Sequence, residues 1–309
     1  MNGGAANLAR AREVLHAGGL VVVPTETVYG LAADAANAAA VAALYALKAR
    51  PHFNPLIAHC ADQEAAEREV ALPPLGRKLA ERFWPGPLTL VAPRRPNGTV
   101  CPLARAGLDT VAVRVPAHPL FHALLTAFGR PLAAPSANAS GRLSPTRPEH
   151  VRAAFQDRTP LILDGGPCTF GLESTVIGFE GARAVLLRAG ALAREQIEAL
   201  SGPLATPQSA IVSSPGQLLA HYAPKARLRL NAVEALPGET LLGFGSIPGA
   251  LSLSRAGELA EAAAHLFDYL HRLDAAGATC IAVAPIPNHG LGEAINDRLA
   301  RAAAAKDGP

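Results

Sequence analysis

Within residues 23–59, VPTETVYGLAADAANAAAVAALYALKARPHFNPLIAH, two hydroxyls flank a carboxylate (Thr25, Glu26, Thr27), and an Ala-rich segment then delivers Lys48, Arg50, Asn54 and His59. Two cations beside an amide and an imidazole suit an anionic ligand, phosphate or carboxylate, with the arginine offering a two-pronged fork. The same cations also suit a solvated helix C-terminus, where the last carbonyls favour positive charge. Pro51 disfavours helical geometry at Arg50, so the helix is expected to end there with both side chains turned toward one ligand.

Three further clusters carry chemistry. APSANASGRLSPT holds Ser136, Asn138, Ser140 and Ser144 among small residues that let backbone approach a phosphate, and equally reads as a Ser/Asn/Gly turn. GLESTVIGF and LLRAG place Ser174 and Thr175 at a strand start and Arg188 at a strand end, where the arginine serves either a ligand or a surface ion pair. VAVRVP buries Arg114 among valines, and such a charge must be paired or bind something. An internal salt bridge with Glu26 and contact with a ligand both satisfy that requirement.

Several chemistries find no footing. The sequence has no G-x-x-x-x-G-K-[ST], no G-x-G-x-x-G after the first strand and no G-x-S-x-G elbow. Cys60, Cys101, Cys168 and Cys280 lie far apart with no C-x-x-C pair, which reads as free thiols rather than a zinc site or a disulfide framework. His59 in LIAHC is the one histidine among the clusters, and no Cys–His or Ser–His–Asp arrangement accompanies it. Covalent catalysis is therefore not expected.

The elements that must position these groups follow from hydrophobic pattern and punctuation. Helices are expected at 7–17, 37–48, 75–83, 118–128 and 193–200, with strands at 20–23, 56–60, 88–93 and 111–116, a strand running into a polar turn over 131–141, and strands at 161–166, 174–179 and 184–190. Residues 201–227, SGPLATPQSAIVSSPGQLLAHYAPKAR, lack periodicity and read as an extended linker. Beyond it, RLRL, TLLGFGS, a helix at 256–275, TCIAVAPIP and a helix at 291–305 alternate strand and helix, which implies a small, largely parallel α/β unit. The expectation is two α/β domains joined by a long linker.

Composition agrees with a folded chain: 309 residues, 50% hydrophobic and 17% charged, are enough to bury large cores. Twenty-eight basic against 25 acidic residues leave a net charge of +3, too weak to argue for nucleic acid or membrane as the main partner. The N-terminal residues show no signal-peptide pattern, and no apolar run approaches the ~20 residues of a membrane span. A cytoplasmic location is expected.

Seven segments, PTETVYGLAADA, KARPHFNPLIAH, FWPGPLTLV, VRVPAHP, APSANASGRLSPT, GLESTVIG and LLRAG, occur in an order that resembles the threonylcarbamoyl-AMP synthases. These are the Sua5/YrdC proteins that initiate the t6A modification of tRNA. The resemblance covers about residues 7–200, and SPGQLLAHYAPKA (214–226) resembles the linker of the long Sua5 form. It implies a YrdC-like open twisted mixed sheet with flanking helices over 1–200, a linker over the active site at 201–227, and a smaller Rossmann-like parallel C-terminal domain at 228–309. Leu172, where valine is usual, and Gln217-Leu218-Leu219, where methionine commonly follows the glycine, depart from the pattern without touching a chemical group.

The resemblance implies a nucleotidyltransferase that joins L-threonine, bicarbonate and ATP into threonylcarbamoyl-AMP and pyrophosphate. By it, Thr27, His59, Arg114, Ala134 and Ser174 hold threonine. Arg50, Asn54, Thr110, Ser136, Asn138, Ser144, Arg188 and Tyr222 hold ATP. Lys48, Arg50 and Arg188, with Mg2+ carried by ATP, stabilise charge on the departing pyrophosphate. The implied downstream partner is the machinery that transfers the threonylcarbamoyl group to tRNA, with at most weak contact to tRNA itself. Two rival readings are a carbamoyl-adenylate former like the domain of hydrogenase-maturation carbamoyltransferases, and a YrdC-type RNA-binding module without its own adenylate chemistry. The first carries an acylphosphatase-like domain and Cys-rich zinc segments that these residues do not show. The second is disfavoured by the modest charge and by the lack of aromatic-interleaved basic runs.

Overall fold

The structure is a computed structural model that describes residues 3–207 and 222–305. In chain order its first domain comprises α1 (Gly3–His16), β1 (Val21–Val23), β2 (Gly30–Asp34), α2 (Ala38–Lys48), β3 (Ile57–His59), α3 (Gln63–Glu69), α4 (Pro74–Phe83) and β4 (Leu88–Pro93). There follow β5 (Thr110–Arg114), α5 (Pro119–Phe128), β6 (Leu132–Ala133), α6 (Pro148–Phe155), β7 (Leu161–Ile162), β8 (Thr175–Glu180), β9 (Arg183–Arg188) and α7 (Arg194–Ser201). The second domain holds β10 (Arg227–Arg229), β11 (Glu239–Gly243), β12 (Leu251–Ser252), α8 (Leu259–Ala275), β13 (Cys280–Val283) and α9 (Leu291–Ala304).

The nine first-domain strands form one mixed sheet in the order β7-β1-β2-β6-β3-β5-β4-β8-β9, and the other four form a parallel sheet, β10-β13-β11-β12. The fold class expected from sequence, a mixed sheet followed by a smaller parallel α/β unit, is the one observed. The linker expected at 201–227 lies largely outside the described residues, which resume at Tyr222.

The period of two along a strand decides what each face of the large sheet does. Ala58, Leu90, Val113, Ala133 and Ile177 point to one side, where they pack with Leu44 of α2, Leu79 of α4 and Ile197 of α7 in the main core. Ile57, Ala112 and Val176 point to the other side, and so do His59 and Arg114, two residues further along β3 and β5. His59 and Arg114 are register partners in this parallel pair, so the ladder sets the imidazole beside the guanidinium. Helices α1 and α5 cover only the β1–β2–β6 end of that second face.

The second domain packs on the first through a shared core, in which Val28, Leu143, Leu172 and Ala191 join Leu266, Phe267 and Ile295. Polar pairs stitch the seam: Arg147 Nε to Asp268 Oδ1 at 2.7 Å, Arg194 NH2 to Glu293 Oε1 at 2.5 Å, and Arg298 Nε to Glu173 Oε2 at 2.8 Å.

Four elements lie outside the expected set: β2, α3, α6 and β12. Gly30–Asp34, GLAAD, is buried at every position, so it shows no alternation, and its alanines blend into the helix that follows. Helices α3 and α6 span only 7 and 8 residues, too few for a helical period to stand out.

Gly190 fixes how the end of β9 meets the start of β8. A Cβ there would sit 2.4 Å from the Glu173 carbonyl oxygen and 2.5 Å from Thr175 N, distances that no side chain tolerates without backbone movement. Gly190→Ala is expected to destabilise the chain by about 1–3 kcal/mol, the usual cost of overpacking. Urea unfolding checks this; a change within about 0.5 kcal/mol, the surface range, would show that the two segments have room to part.

Candidate active site

The uncovered face of the large sheet ends in a cavity whose wall is built from distant parts of the chain. Thr25, Thr27 and Gly30 come from the β1–β2 connection, Arg50 from the loop after α2, and Ile57, His59 and Arg114 from the central strands. Ala134, Pro135 and Ser136 come from the loop after β6, Glu173, Ser174 and Arg188 from the β8–β9 end, and Tyr222 from within the linker expected at 201–227.

The amino-terminal corner is held by hydroxyls. Thr25 Oγ1 accepts from the backbone N–H of Thr27 at 3.0 Å and of Val28 at 3.1 Å, donates to Val28 O, and lies 2.7 Å from Thr27 Oγ1. This local turn aims Thr27 at Arg114, whose NH1 donates to Thr27 Oγ1 at 3.0 Å. The NH2 of the same guanidinium pairs with Glu26 Oε1 at 2.6 Å, and its Nε donates to Gly86 O at 3.1 Å. Of the two roles considered for Arg114, the ion pair with Glu26 is present, and the same side chain lines the cavity.

His59 is buried, and burial together with the neighbouring Arg114 charge pushes its imidazole down to about 3. It is neutral at physiological pH and too weak a base to draw protons efficiently there. Its Nδ1 has no hydrogen-bond partner among the described residues, and Phe121 of α5 packs 5.3 Å away, centroid to centroid. The imidazole is therefore suited to hydrogen bonding with a ligand.

Lys48 and Arg50 part company, against the expectation that both turn to one ligand. Helix α2 starts on Asn37, whose Oδ1 accepts from Ala39 N and Ala40 N, and stops at Ala49, in left-handed backbone with φ 48°. The Arg50 N–H then bonds back to Tyr45 O, closing the end of the helix and reversing the chain. Arg50 consequently faces the cavity, its Nε donating to Asn54 O at 3.2 Å and its NH2 to Pro55 O at 3.0 Å. Burial lowers its guanidinium to about 10, which still leaves it charged.

Lys48 points the other way. It is fully buried, and its Nζ donates to Ser136 O at 2.6 Å and Asn138 O at 2.5 Å, so it anchors the 136–138 loop from behind and does not line the cavity. Burial, and secondarily the Arg50 charge, hold its ammonium well below the ordinary lysine value.

At the far end, Arg188 Nε and NH2 donate to Ser174 O at 3.2 and 2.7 Å, and NH2 also reaches Ser174 Oγ at 3.2 Å. Ser174 Oγ lies 2.7 Å from Thr89 Oγ1. Ser144 Oγ donates to Glu173 Oε1 at 2.5 Å, behind the wall rather than on it. Asn138 shapes its own loop, donating through Nδ2 to Ala139 O and Arg142 O, while its Oδ1 has no partner among the described residues.

Asn54 is completely buried, with neither side-chain amide atom partnered among the described residues. Thr110, at the start of β5, is off the wall but shares a sheet face with Ala112 and Arg114. The structure therefore brings nine of the thirteen sequence-derived binding residues onto one wall: Thr27, Arg50, His59, Arg114, Ala134, Ser136, Ser174, Arg188 and Tyr222. Asn54, Thr110, Asn138 and Ser144 stand off it.

Glu173 is a wall residue outside the set of binding residues drawn from sequence. Burial acts to raise its carboxyl, but Arg298, then Arg188 and the Ser144 hydroxyl, hold it below the ordinary carboxylate value. Three guanidinium groups, Arg50, Arg114 and Arg188, thus share a wall with two internally neutralised carboxylates, of which Glu26 stands just behind. The arrangement can hold two anionic groups side by side. Among the described residues no group of three or more His, Cys, Asp or Glu is placed to hold a metal ion. Glu26 and Glu173 are already bound to arginines, so the donors present do not compose a resident metal centre.

A two-domain α/β chain with an arginine-walled cavity on one face of a mixed sheet is the class that fold and site define. Residues 13–190 match the Sua5/YciO/YrdC family, described as "Telomere recombination", and residues 192–304 match the family described as "Threonylcarbamoyl-AMP synthase, C-terminal domain". The chain belongs to the Sua5/YrdC/YciO family and carries the C-terminal domain of its long form. It is 40% identical to threonylcarbamoyl-AMP synthase of Bacillus subtilis (strain 168), over 97% of this chain and 93% of that protein. The crystal structure of Pyrococcus abyssi Sua5 complexed with L-threonine superposes with a TM-score of 0.88 at 36% identity, covering 97% of this chain and 94% of that one. Escherichia coli YciO, at 22% identity and a TM-score of 0.53 over 60% of this chain, shares the fold of the first domain.

Proposed function

We propose that the chain is a threonylcarbamoyl-AMP synthase, forming the mixed carbamoyl-phosphate adenylate of L-threonine with release of pyrophosphate. The observation that carries this reading is the single cavity in which Thr27, His59 and Arg114 face Arg50, Ser136 and Arg188. The near-full-length relatives, one solved with L-threonine, support the synthase over an RNA-binding module without adenylate chemistry.

In this reading Thr27, His59, Arg114, Ala134 and Ser174 hold the amino acid, with Arg114 meeting its carboxylate. Arg50, Asn54, Thr110, Ser136, Asn138, Ser144, Arg188 and Tyr222 form the nucleotide half, with Asn138 and Ser144 acting through the loop and wall they brace. The threonine amine takes up CO2 from bicarbonate to give a carbamate, whose oxygen attacks the α-phosphorus as pyrophosphate leaves. Arg50 and Arg188 stabilise the charge that grows on the leaving group. Lys48 contributes by holding the 136–138 loop at the phosphates. Mg2+ enters with ATP as part of the substrate. Catalysis rests on positioning and electrostatics, since His59 is neutral and no protein nucleophile is needed.

The product is an activated acyl adenylate, and its consumer is the machinery that transfers the threonylcarbamoyl group to tRNA. No helix among the described residues is long and apolar enough to cross a membrane. The test is pyrophosphate release from ATP with each amino acid in turn, with and without bicarbonate. Release that requires both L-threonine and bicarbonate is the expected result; release indifferent to either would sink the assignment.

A further inference from the structure

Arg298 belongs to α9 of the second domain, yet it is among the most buried side chains of the molecule, 1% exposed. Its Nε donates to Glu173 Oε2 at 2.8 Å, its NH2 to Ala189 O at 2.9 Å and its NH1 to Asp297 Oδ2 at 2.6 Å. Its guanidinium carbon lies 4.9 Å from the centre of the Tyr222 ring. Glu173 immediately precedes Ser174, and Ala189 immediately follows Arg188. One side chain from outside the large sheet thus grips both strand ends from which the wall residues Ser174 and Arg188 project, as well as the ring of Tyr222.

Glu173 is the critical contact. A carboxylate on the wall of an anion-binding cavity is counterproductive unless it is neutralised. Arg188 is the second cation within electrostatic reach of Glu173, after Arg298. With Oε2 on Arg298 and Oε1 on Ser144, both carboxylate oxygens are hydrogen-bonded by partners other than Arg188. A buried ion pair adds little net stability over an apolar pair, so stability alone is a weak reason for this one to bridge two domains.

We propose that Arg298 is a positioning residue for the nucleotide half of the site: by engaging Glu173 it prevents that carboxylate from neutralising Arg188. The inference rests on the reading in which Arg188 meets the triphosphate of ATP. It assigns the second domain a share in building the cavity, delivered through one guanidinium.

The test is calorimetric binding of MgATP and, separately, of L-threonine to the full-length chain and to Arg298→Met, Glu173→Gln and the double variant. Arg298→Met is expected to weaken MgATP binding about tenfold or more while threonine affinity stays within about twofold, the asymmetry that a redirected charge produces. In the Glu173→Gln background the carboxylate is gone, so adding Arg298→Met is expected to change MgATP affinity by no more than about twofold, the signature of two coupled residues. Equal weakening of both ligands in a folded Arg298→Met would overturn the proposal. If that variant does not fold, the double variant against Glu173→Gln decides, and a further tenfold loss there overturns it. A wild-type chain that binds MgATP without threonine-dependent pyrophosphate release would overturn the assigned reaction while leaving this comparison readable. One that binds no MgATP would overturn both.

Discussion

Arg188→Ala is expected to lower kcat/KM for threonine-dependent pyrophosphate release about 10²–10³-fold, the usual effect of removing one preorganised donor from a developing anion. Arg188 sits at the end of β9, lines the cavity and is fixed through Nε and NH2 on the Ser174 carbonyl. A guanidinium held in this way needs no reorganisation when charge moves onto the leaving group, which is why its loss should appear mainly in the rate. The fold should survive. Removing the side chain strands one carbonyl, at about 1–3 kcal/mol, but also relieves the burial of a cation. Arg50→Ala is expected to behave alike, since Arg50 holds the 54–55 carbonyls in a comparable fork. Steady-state kinetics with circular dichroism checks both variants, and a wild-type rate in either removes that residue from the site.

The largest expected effect on stability is at Glu26. Glu26→Ala leaves Arg114 4% exposed in its side chain and without the carboxylate 2.6 Å from NH2, and breaking such a pair from one side costs about 3–5 kcal/mol. The backbone N–H of Ala117, which donates to Glu26 Oε2, loses its acceptor as well. Glu26→Ala/Arg114→Met should recover most of that stability because no lone charge remains, while threonine binding stays lost. Urea unfolding of the three chains separates these outcomes. A loss below about 1 kcal/mol in Glu26→Ala would mean that the pair behaves as a solvated surface bridge.

Much of the site was legible because its residues fall at punctuation that physics requires. Arg114 inside VAVRVP had to be paired or bound, and Glu26 beside two threonines was an evident partner; the structure shows the pair and the cavity contact together. The strands that carry His59, Arg114 and Arg188 showed themselves as apolar runs holding a single polar group. What escaped depended on direction rather than composition. Lys48 and Arg50 lie two residues apart, and only the left-handed Ala49 decides that one faces the cavity and the other the 136–138 loop. β2 escaped because full burial erased its alternation. Arg298 escaped because it is one of 24 arginines, in a helix whose local pattern says nothing about Glu173, 125 positions earlier.

The long reach between those two residues has a consequence in time. Translation adds about 5–20 residues per second, so the 125 positions from Glu173 to Arg298 separate their synthesis by roughly 6–25 s. For most of that interval, once β9 has been made, the nascent first domain holds every strand of its sheet but lacks the counter-charge for a carboxylate on its cavity wall. The sheet can form early, whereas the cavity takes its final electrostatic form only when the last helix leaves the ribosome and docks. By the role proposed for Arg298, the nucleotide half of the site reaches full strength only after the whole chain has been made.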